Sequence, residues 1–272
     1  QEIRLTDYYE RHGKYAAAAW HRRFLKHAYQ RSYRALEDLG CSPLKLPRLR
    51  VLLCGVGAPA TTREFAAFLC ARQLSTRLFI VDVALPPLVA SRAALEAKSP
   101  LADVTFLCAD ARALPFPDGS FDLVETDFLL QFLVSSDRRA VLHEWARVLR
   151  AGGGLMTRDW VTHERGLDPL WDALRRAVLQ TVLGVRTHVL TGADLRGALR
   201  EAGFQATVLR LGRLPLIHVI AGIARRAGES EAPRPRSTCG ASLWRSGNHS
   251  GHLHTRALRS SVPVSVARVG RR

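Results

Sequence analysis

No C-x-x-C pair occurs anywhere in the chain, and the five cysteines, Cys41, Cys54, Cys70, Cys108 and Cys239, are scattered. This excludes a zinc ribbon and a disulfide framework as organising devices and fits a reducing, cytoplasmic setting. Long apolar runs are missing too. The stretch from Leu214 to Ala224 falls short of the roughly 20 residues that a bilayer crossing needs, so no membrane span is expected. No apolar signal-like segment stands before the charged start, and a soluble protein is expected. Acidic residues are in deficit, 24 Asp and Glu against 40 Lys and Arg, for a net charge of +16. The excess is uneven: residues 225–272 hold ten basic and two acidic side chains, a net +8 in under a fifth of the chain.

What is present is the composition of a folded protein. The 272 residues are 47% hydrophobic and 24% charged, enough to bury one sizeable core and too few for two full enzyme domains. Residues 227–272, rich in Pro, Arg, Ser, Gly and His, carry no apolar period, and a basic, disordered tail is expected there. Its Cys239, His249, His252 and His254 match no standard ligand spacing, so no metal site is expected. The tail charge could recruit a nucleic acid, yet no recognition motif accompanies it.

From Tyr8 to Leu39 the chain is helix-friendly, with aromatics Tyr15, Trp20, Phe24, Tyr29 and Tyr33 at helical spacings and Gly40 as a stop. Residues 1–48 are read as an N-terminal helical extension or lid. The pattern then changes to short apolar runs separated by helical stretches. Strands are predicted at Leu49 to Cys54, Leu78 to Val81, Val104 to Cys108, Phe121 to Glu125 and Gly154 to Arg158. Helices are predicted at Thr61 to Leu74, Pro86 to Ala97, Asp137 to Leu149 (capped by Ser135, Ser136 or Asp137), Leu170 to Leu183 and Thr191 to Ala202. Two last β-like runs, Gln205 to Leu211 and Leu216 to Ala224, are close enough to pair as an antiparallel hairpin at a sheet edge. Strands alternating with helices give an α/β fold: a Rossmann-like, mostly parallel sheet with helices on both faces.

In such a sheet, ligands sit beyond the carboxyl ends of the strands. After the first strand comes Cys54-Gly55-Val56-Gly57-Ala58-Pro59, a turn that lets backbone approach a ligand and leads into a helix N-terminus. Asp82 follows the second strand, about 25 residues beyond the glycines, where a carboxylate can accept from both hydroxyls of a ribose. Asp110 follows the third strand and can accept from an exocyclic amine such as that of adenine.

The segments VLLCGVG, IVDV, CADARALPFPDGSFDLV and HEWARVLRAGGGLM, in this order and at these spacings, resemble the class I S-adenosylmethionine-dependent methyltransferases. The resemblance is to the type 11, small-molecule branch that includes the ubiquinone/menaquinone C-methyltransferases, and it covers about Leu49 to Arg226. It implies a methyltransferase domain over residues 49–226, seven strands with an antiparallel last one, S-adenosyl-L-methionine as cofactor and a small-molecule methyl acceptor. By the same resemblance Gly55 and Gly57 line the methionine side, Asp82 holds the ribose, and Asp110 and Ala111 cover the adenine. Asp127 falls where the family often contacts the methionine or the acceptor, and Thr62 is a further cofactor candidate.

Three departures from the family pattern stand out. Leu53 replaces an acidic residue, Pro59 a third glycine, and Gln131-Phe132 the histidine often found after strand four. If the acceptor needs a base, Asp159 at the end of strand five and His163 are the candidates. A nicotinamide enzyme would want a glycine at Ala60. Methylation of RNA or protein, and a cofactor-degenerate interaction module, are the alternatives; no sequence feature fixes an oligomeric state.

Overall fold

The computed structural model describes residues 19–72, 75–96, 101, 103–162, 167–184, 186–211 and 217–225. The expectations for the first eighteen residues and for the tail from residue 226 onward lie outside the described residues.

Helix α1 (Ala19–Asp38) repeats buried side chains at Leu25, Ala28, Tyr29, Ser32 and Leu36, the spacing of one helical face. Then follow β1 (Arg48–Cys54), α2 (Pro59–Cys70), β2 (Ser75–Asp82), α3 (Leu85–Glu96), β3 (Asp103–Cys108), β4 (Phe121–Asp127), α4 (Ser135–Val148) and β5 (Leu149–Trp160). The chain closes with α5 (Asp168–Leu183), α6 (Gly192–Glu201), β6 (Phe204–Arg210) and β7 (Ile217–Ala224). Each predicted element is found, with ends displaced by a few residues. One cap is corrected. Neither Ser135, Ser136 nor Asp137 caps α4; the N-cap position is Val134 with no side-chain bond, and Asp137 lies in the first turn. Thr191 does cap α6, its hydroxyl accepting from the Asp194 N–H at 3.1 Å.

The seven strands form one sheet in the order β3-β2-β1-β4-β5-β7-β6. β7 is antiparallel to both of its neighbours, and the other described pairings are parallel. The hairpin partners therefore share the edge as expected, with β7 tucked inside and β6 outermost. Both faces are covered, which is why the central strands read as unbroken apolar runs. Along β1, Val51 and Leu53 point into a core built with Leu25, Tyr29, Leu36 and Phe65. Leu52 and Cys54 point into the other, built with Leu142, Trp145 and Leu199.

Aromatic packing ties α1 to α2: the Tyr29 ring lies 5.2 Å from Phe65 and 5.5 Å from Phe68. The described part of the N-terminal extension is thus a wall of the core, and none of its residues lines the crevice described below. The strand order reverses between β1 and β4, since β1 leads outward to β2 and β3 while β4 leads the other way to β5. That split leaves an opening above the carboxyl ends.

Candidate active site

The opening is a crevice of about 980 Å³, at the upper end of the roughly 300–1,000 Å³ typical of small-molecule sites. Its floor is the turn after β1. Gly55 adopts φ +77°, a conformation costly for a residue with a side chain, and its N–H donates to the Val81 carbonyl at 2.8 Å. A Cβ on Gly57 would meet no protein atom within 4 Å, so the missing side chain opens onto the crevice. α2 starts immediately beyond, with Pro59 in its first turn, where the absent N–H is one the helix could not have used.

Asp82 ends β2 and is 5% exposed. One carboxylate oxygen accepts the Val56 N–H at 2.8 Å and the other the Ala84 N–H at 2.9 Å, which fixes its plane and ties it to the glycine turn. Burial raises its pKa, and the N–H groups of Ala84, Val56 and Val83 pull against that shift. A carboxylate offers about four lone-pair sites, so both oxygens keep capacity toward the crevice.

Asp110 and Ala111, beyond β3, line the same crevice. Asp110 is held by Arg112, whose Nη2 donates to it at 2.7 Å while Nη1 reaches Asp137 at 3.1 Å. This exposed bridge links the tip of β3 to the first turn of α4.

Asp127 closes β4 and also lines the crevice. Its Oδ1 accepts from Arg158 Nε at 2.9 Å and its Oδ2 from the Thr61 hydroxyl at 3.4 Å. The next residue, Phe128, has φ 55°, a left-handed conformation that costs a side-chain-bearing residue roughly 1–2 kcal/mol. Its N–H is held by the Arg158 carbonyl at 2.8 Å. Strain of this kind collects where backbone is shaped for a site. Past it, Leu129, Phe132, Leu133, Val134 and Val141 form an apolar wall, and Arg186 and His188 stand among the remaining lining residues.

The structure therefore brings Gly55, Gly57, Asp82, Asp110, Ala111 and Asp127 to one crevice. It does not bring Thr62. That hydroxyl is fully buried and donates to Ser91 Oγ at 3.2 Å between α2 and α3, while its neighbour Thr61 takes the crevice position. Helical rotation is the reason: adjacent residues lie about 100° apart around the axis.

Asp159 is a second correction. It is fully buried away from the lining residues, and its carboxylate accepts the N–H groups of Leu130 at 2.7 Å, Gln131 at 3.3 Å and Trp160 at 2.8 Å. Burial lifts its pKa to about 7 against those three donors. It fastens the turn Leu130–Phe132 that carries Phe132 to the crevice, and it is not itself among the lining residues. His163 lies outside the described residues. His143 is exposed on α4, opposite the buried Val141, Trp145 and Val148.

Cys54, on the floor, is no nucleophile: burial pushes its thiol up to about 12. Among the described residues no cluster of His, Cys, Asp and Glu could hold a metal ion, and no helix is long and apolar enough to cross a membrane.

Sequence reasoning missed Thr61, Glu125 and Arg158. Glu125 and Arg158 are fully buried in central strands, and Arg158 Nη2 donates to Glu125 Oε1 at 2.9 Å. The signal was available in FDLVETD and LMTRDW, where a charge interrupts a run destined for burial on both faces.

Residues 52–157 match the family described as a methyltransferase domain. The demethylmenaquinone methyltransferase of Thermus thermophilus is 37% identical over 131 residues, which cover 48% of this chain and 56% of that one. The malonyl-[acyl-carrier protein] O-methyltransferase of Laribacter hongkongensis is 33% identical over 149 residues, covering 51% and 46%. The chain spans about half the length of the relatives it matches. Among solved structures, the apo form of the S-adenosylmethionine-dependent methyltransferase SibL superposes with a TM-score of 0.54 at 22% identity, over 72% of this chain and 55% of that one. At that identity the likeness speaks to the fold alone.

Proposed function

We propose that the chain is a class I S-adenosylmethionine-dependent methyltransferase, which binds S-adenosylmethionine in the crevice and passes the methyl group to a small-molecule acceptor by in-line displacement; the methyltransferase-domain match and the relatives named above support this reading. The observation that carries the reading is convergence. Carboxylates from two neighbouring strand tips, Asp82 and Asp110, and the open position at Gly57 face one crevice at the point where the strand order reverses.

The residues present fit such a cofactor. Asp82, oriented by two backbone donors, would accept from the ribose hydroxyls. Asp110 and Ala111 would flank the adenine, and the Gly55–Gly57 turn with Asp127 would receive the amino-acid arm. When bound, the cofactor supplies a sulfonium whose thioether product is a good leaving group. What this chain must add is placement and dryness. The apolar wall from Leu129 to Val141 keeps water from the acceptor side, and correct placement of two reactants is worth about 7–11 kcal/mol of barrier. No strong base is then required. Where the acceptor must lose a proton, His188 is the imidazole among the described crevice-lining residues, and His163 remains the proposal from sequence.

The relatives reported above are named for demethylmenaquinone and for a malonyl-[acyl-carrier protein], so the similarity does not by itself name an acceptor. We place this chain in the small-molecule group for its apolar wall. Calorimetric titration with S-adenosylmethionine and S-adenosylhomocysteine should show one site per chain. Asp82→Ala should weaken it about 10- to 100-fold, the loss of hydrogen bonds to a charged acceptor. Absence of binding by the wild-type chain at millimolar ligand would overturn the reading in favour of an interaction module.

A further inference from the structure

Leu53 leaves a hole in the charge pattern: it is fully buried and apolar where the resemblance calls for a carboxylate. Its register partner on the adjacent strand is Glu125. Glu125, Asp127 and Arg158 share one face of β4 and β5, since 125 and 127 are two residues apart and Asp127 is paired with Arg158 across the ladder. A guanidinium clamped between two carboxylates inside a core is expensive unless every group is bonded. Here the bonding is incomplete: Glu125 Oε2 and Arg158 Nη1 have no partner. What the cluster does achieve is to aim Asp127. Arg158 Nε fixes one oxygen, the Thr61 hydroxyl the other, and the Arg158 cation rests 4.3 Å from the centre of the Tyr29 ring, whose hydroxyl donates to the Thr61 carbonyl at 3.3 Å. Burial raises the pKa of Glu125 and favours its neutral form, and Asp127 is the acid of the trio that meets the crevice, where its oxygens keep lone pairs for a further donor.

We propose that the acceptor lost at position 53 has been moved one strand over, and that Arg158 is a positioning residue that holds Asp127 to receive the ammonium of the cofactor's amino-acid arm. This rests on the cofactor reading above, which gives Asp127 to the amino-acid arm, and adds the residue that positions it.

The test compares two ligands that share the nucleoside: S-adenosylhomocysteine, which has the amino-acid arm, and 5′-methylthioadenosine, which lacks it. The wild-type chain should prefer the first by tenfold or more. Asp127→Asn and Arg158→Lys should each cut that preference to threefold or less while changing 5′-methylthioadenosine affinity by no more than twofold. Thr61→Val removes the other tether without touching the buried charges and should lower the preference two- to threefold, so the proposal stays exposed if Arg158→Lys does not fold. Equal weakening of both ligands, or an unchanged preference in Asp127→Asn, overturns the proposal and leaves the cofactor reading standing. Failure of the wild-type chain to bind either ligand overturns both.

Discussion

Helices α1 and α5 flank the sheet with opposite logic. α1 turns its apolar face inward, where Leu25, Tyr29 and Leu36 are fully buried. α5 turns its apolar face outward: Leu167, Leu170, Trp171, Leu174 and Val178, at helical spacing, are 48–68% exposed. Its buried side chain is Asp172, which receives Arg175 at 2.8 Å and Arg176 at 3.0 Å. Arg175 in turn donates to the Gln131 amide oxygen at 2.7 Å and stacks over Trp160. One helix is held by the hydrophobic effect and the other by a small polar anchor. The stability of a helix and its attachment to the fold can therefore be separate matters, and the weakly attached element is the one that can move without unfolding the rest. α5 ends at Gly184, which lines the crevice together with the following Arg186 and His188, so the attachment of this helix bears on that wall of the crevice.

The largest expected effect breaks the strong side of this contrast. Tyr29→Ala removes a ring that packs on both Phe65 and Phe68 and should cost about 3–5 kcal/mol in denaturant unfolding. Asp172→Ala strikes the weak side. It should raise hydrogen exchange across residues 168–183 at least tenfold while leaving exchange in α1 unchanged and shifting global stability by no more than about 1 kcal/mol. An equal rise in both helices would show that they belong to one cooperative unit.

A third prediction uses pH. Asp159 sits at about 7 in the fold against an ordinary 3.8. The folded state then binds more protons than the unfolded one between those values, so stability falls as pH rises from about 4 to about 7. Thermal melting should therefore rise on acidification from pH 8 to pH 5, and Asp159→Asn should flatten that dependence. A profile unchanged by the substitution would show that the three N–H donors hold the carboxylate ionised throughout. The smallest effect is on the exposed stripe. Leu174→Gln should change stability by less than about 0.5 kcal/mol, because the side chain is already in water, whereas the same change at Leu25 should be severe.

The strands and helices were legible because their periods are strong: four consecutive buried residues, Val51 to Cys54, could only be a strand covered on both sides. Asp82, Asp110 and the glycine turn were legible because they stand at strand ends, where fold geometry assigns position without further information. Other features were not. The exchange of Thr62 for Thr61 depends on how far α2 is rotated about its axis, which no local pattern fixes. Asp159 looked like a base because it ends a strand; that it is consumed by the N–H groups of Leu130 and Gln131 depends on a turn nearly thirty residues away in sequence. α5 was read correctly as a helix, and Asp172 pairs with Arg175 and Arg176 within that helix, but its outward apolar face follows from how Arg175 meets Gln131 and Trp160 on the body.

Sequence alone determined the alternation of strand and helix, the carboxylates at the tips of β2 and β3, and the glycine opening, since each follows from local periodicity and chain order. Tertiary structure alone decided which charges meet. Leu53 lies beside Glu125, Arg158 reaches Asp127, and Asp159 is withdrawn from the crevice, because strand register and helix rotation are set by packing over the whole sheet.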